Sequence, residues 1–598
     1  MCGIIGYIGK SNSIPKLING LKSLEYRGYD SAGIAYVSNN TIKIVKHEGK
    51  IINLENILDK NDSSYIGIGH TRWATHGIAN TINSHPHRQG SITLVHNGIV
   101  ENYQELREKL EGEGYKFVSD TDSEVVAGYI DYLYKSYKDI IKAIDEATSI
   151  FKGSYALGII VDNDFNNLYA IRKDSPLIVG ICENEFFIAS DVPAILEYTN
   201  KYILLENYDI AVLSRDKVTV YKNLKEIDKE IKTYEFDKTV KDKNGYSHYM
   251  LKEINEQSVI INNLIKDYNS KDKVLNKFPD LSKYNKIYIV ACGSAYHAGI
   301  IGKYLIEEYA RIEVNVDIAS EFRYKNLFID DKTLVIAISQ SGETADTLAS
   351  IRIAKEHGSY TLGIVNVEGS SIAREVDDVI YTKAGIEVAV ATTKGYTTQV
   401  FILAMLALNL GLKKGYIDNR KEKDIFDSLR ILPTTINKLV TTDYGDISKI
   451  IKEHNDVFFL GRNIDYACVL EGSLKLKEIS YIHSDAYAAG ELKHGTISLI
   501  ENETPVISLI TNDVIAEKTI SNIKETKARG AYSIIISSNN FNISSDVYDK
   551  LILVDKTIDL LQPIINIIPL QLIAYNVAFE KGCDIDKPRN LAKSVTVE

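Results

Sequence analysis

Cys2 directly follows the initiator methionine. With Met1 removed, one residue carries both a thiol and a free α-amine. Such an amine has a pKa of about 7.7–8.0, against about 10.4 for a lysine, and can accept the thiol proton near neutral pH. A nucleophile that carries its own general base is the arrangement of N-terminal nucleophile enzymes. A thiol attacking an amide needs donors for the oxyanion. Asn97 offers its side-chain NH₂, and Gly98 a backbone N–H with no Cβ in the way. A free amino-acid substrate carries two charges. Arg72 suits its carboxylate through a bidentate fork, and Asp122 suits its ammonium. The competing view is a lone cysteine at position 2 with no catalytic part.

A second group of residues suits a phosphate. An apolar run, Thr333 to Ile338, leads into Ser339-Gln340-Ser341-Gly342-Glu343-Thr344 and then a helical stretch. Hydroxyls and backbone N–H groups at a helix N-terminus bind anions. The alternative is an ordinary Ser/Thr-capped helix. No G-x-x-x-x-G-K-[ST] pattern occurs, which disfavours a nucleoside triphosphate. Further on, Glu471, Lys475 and Glu478 fall at i, i+4 and i+7, one face of a helix. They read equally as a solvated charge stripe, yet His483 and the segment 490–495 add polar residues where a core is expected. His85-Pro86-His87 places two histidines too close to chelate one metal well, and no acidic or cysteine cluster completes a site. No metal and no cofactor are expected.

These residues need elements to hold them. The first 240 residues alternate short β-like runs (Gly3 to Gly9, Gly33 to Val37, Tyr65 to His70, Ser91 to His96) with Gly and Asn breaks. Two amphipathic helices interrupt them, one with Ile14, Leu17, Ile18, Leu21 and Leu24 on one face, the other from Tyr103 to Leu110. This is layered α/β structure. A lysine-rich stretch, 237–244, follows as a linker. From residue 285 onward, apolar strands separated by helices give a doubly wound pattern. Runs starting near 287, 334, 361 and 379 return near 457, 506, 532 and 551. This nearly constant shift predicts two tandem copies of one domain. The second copy's matching turn, Thr511-Asn512-Asp513, lacks the hydroxyl cluster, so phosphate binding is expected in the first copy alone. The organisation expected is 2–240, 245–430, 431–587 and a tail from 588 to 598.

Composition sets outer limits. The 598 residues predict roughly four domains on length alone. Apolar residues make up 45% and charged residues 25%. This balance excludes disorder and collagen as whole-chain readings. A net charge of −11 without a basic run argues against a nucleic-acid partner. Five cysteines, none at C-x-x-C spacing, suit a reducing compartment. No basic segment with a following apolar run opens the chain. The longest apolar stretch, Val400 to Leu412, is too short to cross a bilayer, so a cytoplasmic protein without a membrane partner is expected.

Two resemblances build on these residues. MCGIIGY, EYRGYDSAG (25–33), HTRWATHG (70–77), HPH (85–87), HNGIVEN (96–102) and SDTDSE (119–124) resemble the class II glutamine amidotransferase domain. That implies a four-layer αββα fold, Cys2 as the nucleophile that releases ammonia from glutamine, Asn97 and Gly98 as the oxyanion hole, and Arg72, Trp73, Thr75, His76 and Asp122 around glutamine. ACGSAYHAG (291–299), SQSGETADT (339–347), VAVATTKGYTTQ (388–399), LEGSLKLKEISYIH (470–483), YAAGELKHG (487–495) and PRNLAKSVTVE (588–598) resemble the tandem sugar-isomerase (SIS) domains of the isomerizing glutamine–fructose-6-phosphate aminotransferase family. That family makes D-glucosamine 6-phosphate and L-glutamate from D-fructose 6-phosphate and L-glutamine, as a homodimer. The resemblance implies that Ser339, Gln340, Ser341 and Thr344 hold the phosphate while Ser294, Val390 and Thr392 line the sugar. It makes Glu478 the base between C1 and C2 with Lys475 assisting. His494 opens the sugar ring from a neighbouring subunit, and Lys593 forms a Schiff base. Ammonia passes internally, with Trp73 as gate and the tail as lid.

Imine formation needs a neutral amine, from desolvation or a neighbouring cation. Lys593 lies among Leu591, Ala592, Val595 and Val597, apolar enough to dock, where the alternative is a frayed terminus. Two positions depart from the family. Ser294-Ala295 stands for its Thr-Ser, and Ser258 for a proline, expected to affect only the entry to a helix. A phosphoribosyl amidotransferase or asparagine synthetase would need a phosphoribosyl or ATP motif that is missing. A sugar-phosphate sensor would need neither Cys2 nor Lys593, and a related deglycase would lack the glutaminase half.

Overall fold

The structure, a computed structural model, describes residues 2–25, 28–73, 77–234 and 242–595. Thr75 and His76 lie outside the described residues, as does most of the expected linker. Backbone contacts divide the chain into two compact units, 1–239 with 594–598, and 240–593.

In the first unit, strand Gly3–Ile8 sits inside an eight-stranded sheet between Ile66–Arg72 and Glu185–Ala189. Both faces of this strand are covered, which is why it reads as a continuous apolar run instead of an alternation. Ile4 and Ile8 face Val95, Ala156 and Ile160 of a second, seven-stranded sheet. Ile5 and Tyr7 face the outer helices Ser13–Leu24 and Ile51–Ile57. Helices Tyr103–Gly112, Asp122–Tyr137 and Ile140–Ile150 cover the other sheet. The layers are therefore helix, sheet, sheet, helix. Three of these helices go beyond the two read from periodicity. In Asp122–Tyr137 every residue from Asp122 to Asp131 is buried, so it has no polar face to reveal a helical period.

The second unit holds two five-stranded sheets in which the strand pairs are parallel. Counting strands within each copy, both follow the spatial order second, first, third, fourth, fifth. Corresponding strands recur at a nearly constant interval, as a duplication requires. The repeat read from the sequence contained four strands per copy. The one left out, second in chain order, is Glu313–Ile318 in one copy and His483–Ala488 in the other; it lies at a sheet edge and is half-exposed. Its composition is therefore too polar for an apolar-run search. One apolar core runs from Met250 to Ile585 through both copies. Two helices, Lys394–Lys413 and Gln562–Glu580, are long and apolar enough to cross a membrane, but 94% and 89% of their apolar windows are buried inside this core.

Ser258 is placed differently from expectation. It lies in the middle of helix Tyr249–Tyr268, not at its entry, and donates to the Pro433 carbonyl oxygen on helix Asn419–Val440 at 2.8 Å.

Candidate active sites

In the first unit, the pairing of Gly3 with Thr71 brings Cys2 against the end of the next strand, where Arg72 and Trp73 follow. The Trp73 N–H donates to Cys2 Sγ at 3.2 Å. Burial pushes the Cys2 thiol up, while the Trp73 backbone and the Arg72 cation pull against it. Asn97 comes from the other sheet. Its NH₂ donates to the Cys2 carbonyl oxygen at 3.0 Å, and its Oδ1 accepts from His70 Nε2 at 3.0 Å. Gly98 has φ +122°, and a Cβ there would fall 2.1 Å from the Ser154 carbonyl oxygen. The position thus excludes other residues for backbone reasons alone. The Arg72 guanidinium donates to the Gly77 and Ile78 carbonyl oxygens. Asp122, 4% exposed, starts its helix and accepts from Val100 N at 2.8 Å.

Behind these groups lies a histidine cluster. His70 and His85 stack at 4.0 Å, and His87 meets His85 edge-on at 4.7 Å. His85 Nδ1 accepts from His96 N at 3.2 Å, while His87 Nε2 bonds Thr121 Oγ1 at 3.1 Å. Burial holds His70 down at about 3, and His85 and His87 well below their ordinary value. Three neutral rings thus pack like aromatic side chains behind Asn97. The three are neutral when folded and protonate once unfolded. The stability they contribute is therefore present above about 6.5 and lost as the pH falls toward 3. Thermal melts of the chain should show the first unit losing stability steeply from about pH 6.5 to 4; a flat profile would contradict this.

In the second unit, strand Thr333–Ser339 ends in the predicted hydroxyl loop, followed by helix Ala345–Glu356. Thr344 is the N-cap, but its hydroxyl makes no capping bond and lies 2.9 Å from Ser339 Oγ. Gly342 N donates to Ser339 Oγ at 3.0 Å. Gly342 has φ +67°, and a Cβ would fall 2.0 Å from Ser370 Oγ. The hydroxyls of the loop serve each other and the loop's own backbone, not the helix end. The matching loop of the second copy is occupied from within. Asp465 accepts from Thr511 N at 2.8 Å and Thr511 Oγ1 at 2.5 Å. Burial pushes its carboxyl up to about 6.

Lys475 is fully buried on helix Ile464–Ser480, between Glu478 at 2.6 Å and Glu471 at 3.3 Å. Its ammonium also donates to Ser294 Oγ of the first copy at 3.1 Å, and His297 pairs with Glu471 at 2.8 Å. The solvated-stripe alternative is excluded. Burial pushes Glu471 up, but Lys475 and His297 outweigh it and hold it below the usual carboxylate value. Lys593 Nζ donates to Glu387 Oε2 at 2.5 Å and the Ala389 carbonyl oxygen at 2.8 Å. Glu387 also accepts from Thr392 Oγ1 at 2.7 Å. A Cβ on Gly395 would lie 3.0 Å from both Gln340 Cγ and Glu387 Oε2, so the loop after Ser339 reaches this cluster. Val390 N donates to the Asp586 carbonyl oxygen at 3.0 Å.

Two points differ from the sequence reading. Lys593 meets a carboxylate instead of an apolar pocket or a cation. The tail is held by Arg589, stacked 4.1 Å from the Tyr481 ring centroid, while Val595 is 54% exposed. His494 is exposed on a short 3₁₀ turn, and among the described residues no hydrogen bond or ion pair links it to Lys475 or Glu478. Glu387, Glu253 and His297 went unread. None of them stands at a spacing from other titratable residues that marks a site, and their partners lie far off along the chain.

A glutamine amidotransferase domain model matches residues 70–197, and a SIS domain model matches 280–409 and 449–581. A glutamine–fructose-6-phosphate aminotransferase [isomerizing] of Clostridium tetani is 51% identical over 611 residues, covering 100% of both chains. The chain belongs to this family of aminotransferases. Family members so named from Fusobacterium nucleatum and Methanosarcina acetivorans are 47% and 44% identical, again over 100% of both chains. The solved C-terminal domain of glucosamine-fructose-6-phosphate aminotransferase from Francisella tularensis is 38% identical at TM-score 0.55, covering 58% of this chain and 99% of its own.

Gly342→Ala should weaken sugar-phosphate binding without unfolding the chain. We expect a rise in KM for the phosphorylated sugar of about tenfold, with glutamine hydrolysis unchanged; an unchanged KM would remove the loop from the site.

Proposed function

We propose that the chain converts D-fructose 6-phosphate and L-glutamine into D-glucosamine 6-phosphate and L-glutamate, the entry step of hexosamine biosynthesis. The observation that carries this reading is identity of 43–51% with aminotransferases of that name, along the whole of both chains. Cys2 attacks the glutamine amide, with Asn97 and Gly98 on the oxyanion. Arg72 and Asp122 hold the substrate's two charges, and Trp73, Thr75 and His76 complete its site. Ser339, Gln340, Ser341 and Thr344 take the phosphate, and Ser294, Val390 and Thr392 the sugar. Lys593 forms an imine with the open ketose, and the Glu387 carboxylate beside it suits the resulting iminium charge. Glu478, steadied by Lys475, moves the proton between C1 and C2. Ammonia from Cys2 is delivered within the protein, with Trp73 controlling its passage.

His494 assists ring opening from a second copy, which fits its standing apart from Lys475 in its own chain and makes the working form a homodimer. The domain limits 2–240, 245–430 and 431–587, with a closing tail, and a cytoplasmic setting belong to the same reading.

The test measures glucosamine 6-phosphate from the two substrates. Cys2→Ala should abolish glutamine-dependent synthesis. Lys593→Ala should abolish synthesis yet leave glutamine hydrolysis. Product formation by either variant at the wild-type rate would overturn the assignment of that residue.

A further inference from the structure

Glu253 has no task in the chemistry above, yet it is built into the Lys593 site. It lies on helix Tyr249–Tyr268 and is 2% exposed. Its Oε1 accepts from Val388 N at 2.5 Å and from Ala389 N at 3.3 Å. Its Oε2 is buried without a hydrogen-bond partner. The peptides it grips are flanked by the two groups that hold the amine, the Glu387 carboxylate and the Ala389 carbonyl. On the far side, Glu387 Oε1 accepts from Thr393 N at 2.8 Å and Gly395 N at 3.0 Å. The segment is therefore pinned at one end by the start of a helix and at the other by Glu253. The helix bearing Glu253 is anchored in turn, since Asp586 accepts from Tyr249 N and Met250 N at its first turn.

The charges around Glu253 are Glu387, Lys593 and Lys394 on neighbouring elements, and Lys252 and Glu256 on its own helix. Lys394 is matched by Glu256 at 2.7 Å, and Lys252 donates to the Asp242 carbonyl oxygen. Lys593 is matched by Glu387. Each of these cations is already engaged elsewhere. Burial and repulsion from Glu387 push the Glu253 carboxyl up to about 8, so it is mostly a neutral acid at neutral pH. A neutral carboxyl still accepts two amide N–H groups through its carbonyl oxygen.

We propose that Glu253 is the positioning residue for Lys593, acting through its hold on the Val388 and Ala389 amides. This rests on the reading of Lys593 as the imine-forming amine. A side chain that fixes a reacting group governs the rate of its reaction more than the binding of substrate.

The test traps the imine with borohydride in full-length protein and fructose 6-phosphate, maps the adduct and follows its rate from about pH 6 to 9. Glu253→Gln keeps the acceptor oxygen without a charge and should trap at Lys593 within about threefold of wild type near pH 7, where Glu253 is itself mostly neutral. Glu253→Ala should slow trapping about tenfold or more at an unchanged KM for the sugar, and leave glutamine hydrolysis intact. Glu253→Asp, too short to keep both amides, should fall between them and carries the test where circular dichroism shows the alanine variant unfolded. Alanine and aspartate variants trapping at the wild-type rate would overturn the proposal. So would a glutamine variant as slow as the alanine one, because charge and not position would then be at stake. Absence of any adduct at Lys593 in the wild type would instead defeat the Schiff-base reading itself.

Discussion

An ammonium group cannot be left alone in a protein interior. The second unit is organised around that constraint. Lys475, with no exposed surface, requires compensation within reach, and Glu471 and Glu478 supply it from its own helix. The same ammonium reaches Ser294 on the first helix of the other copy, and His297 from that same helix grips Glu471. The duplicated domains are thus joined by an apolar core and also by contacts from Ser294 and His297 of the first copy into the charge network of the second. Removing one member would strand a buried charge, which commonly costs about 3–5 kcal/mol. The geometry of the network and the joint between domains therefore hold or fail together.

The first unit meets a parallel demand by the opposite means. Its buried histidines are kept uncharged, so they pack as aromatic rings, and His70, His85 and His87 each hydrogen-bond a neighbour through one ring nitrogen. Asn97 inherits its orientation from this arrangement. With His70 donating to Oδ1, the amide nitrogen must face Cys2. One unit thus uses paired charges to hold a site, and the other uses neutral rings.

Much of this was legible in the sequence, for identifiable reasons. Central strands buried on both faces leave long apolar runs, and their return at a fixed interval exposes the duplication. Edge strands such as Glu313–Ile318 were missed because one half-wet face dilutes that signal. Cys2, Asn97 and the Ser339 loop stood out because their chemistry is carried by neighbours in the chain. Glu253 and Glu387 did not, because their partners lie far away along the chain and only the folded structure brings them near. For Lys593 the sequence shows an apolar tail, while in the folded chain the amine sits against a carboxylate brought from Glu387.

The loop after the third strand of the second copy points to how a duplicated binding fold can be divided between tasks. In this loop the backbone N–H and the hydroxyl of Thr511 are both taken by Asp465, a carboxylate of the same copy. The two copies of one fold thus differ at their matching loops, hydroxyl against hydroxyl in the first and hydroxyl against the chain's own carboxylate in the second.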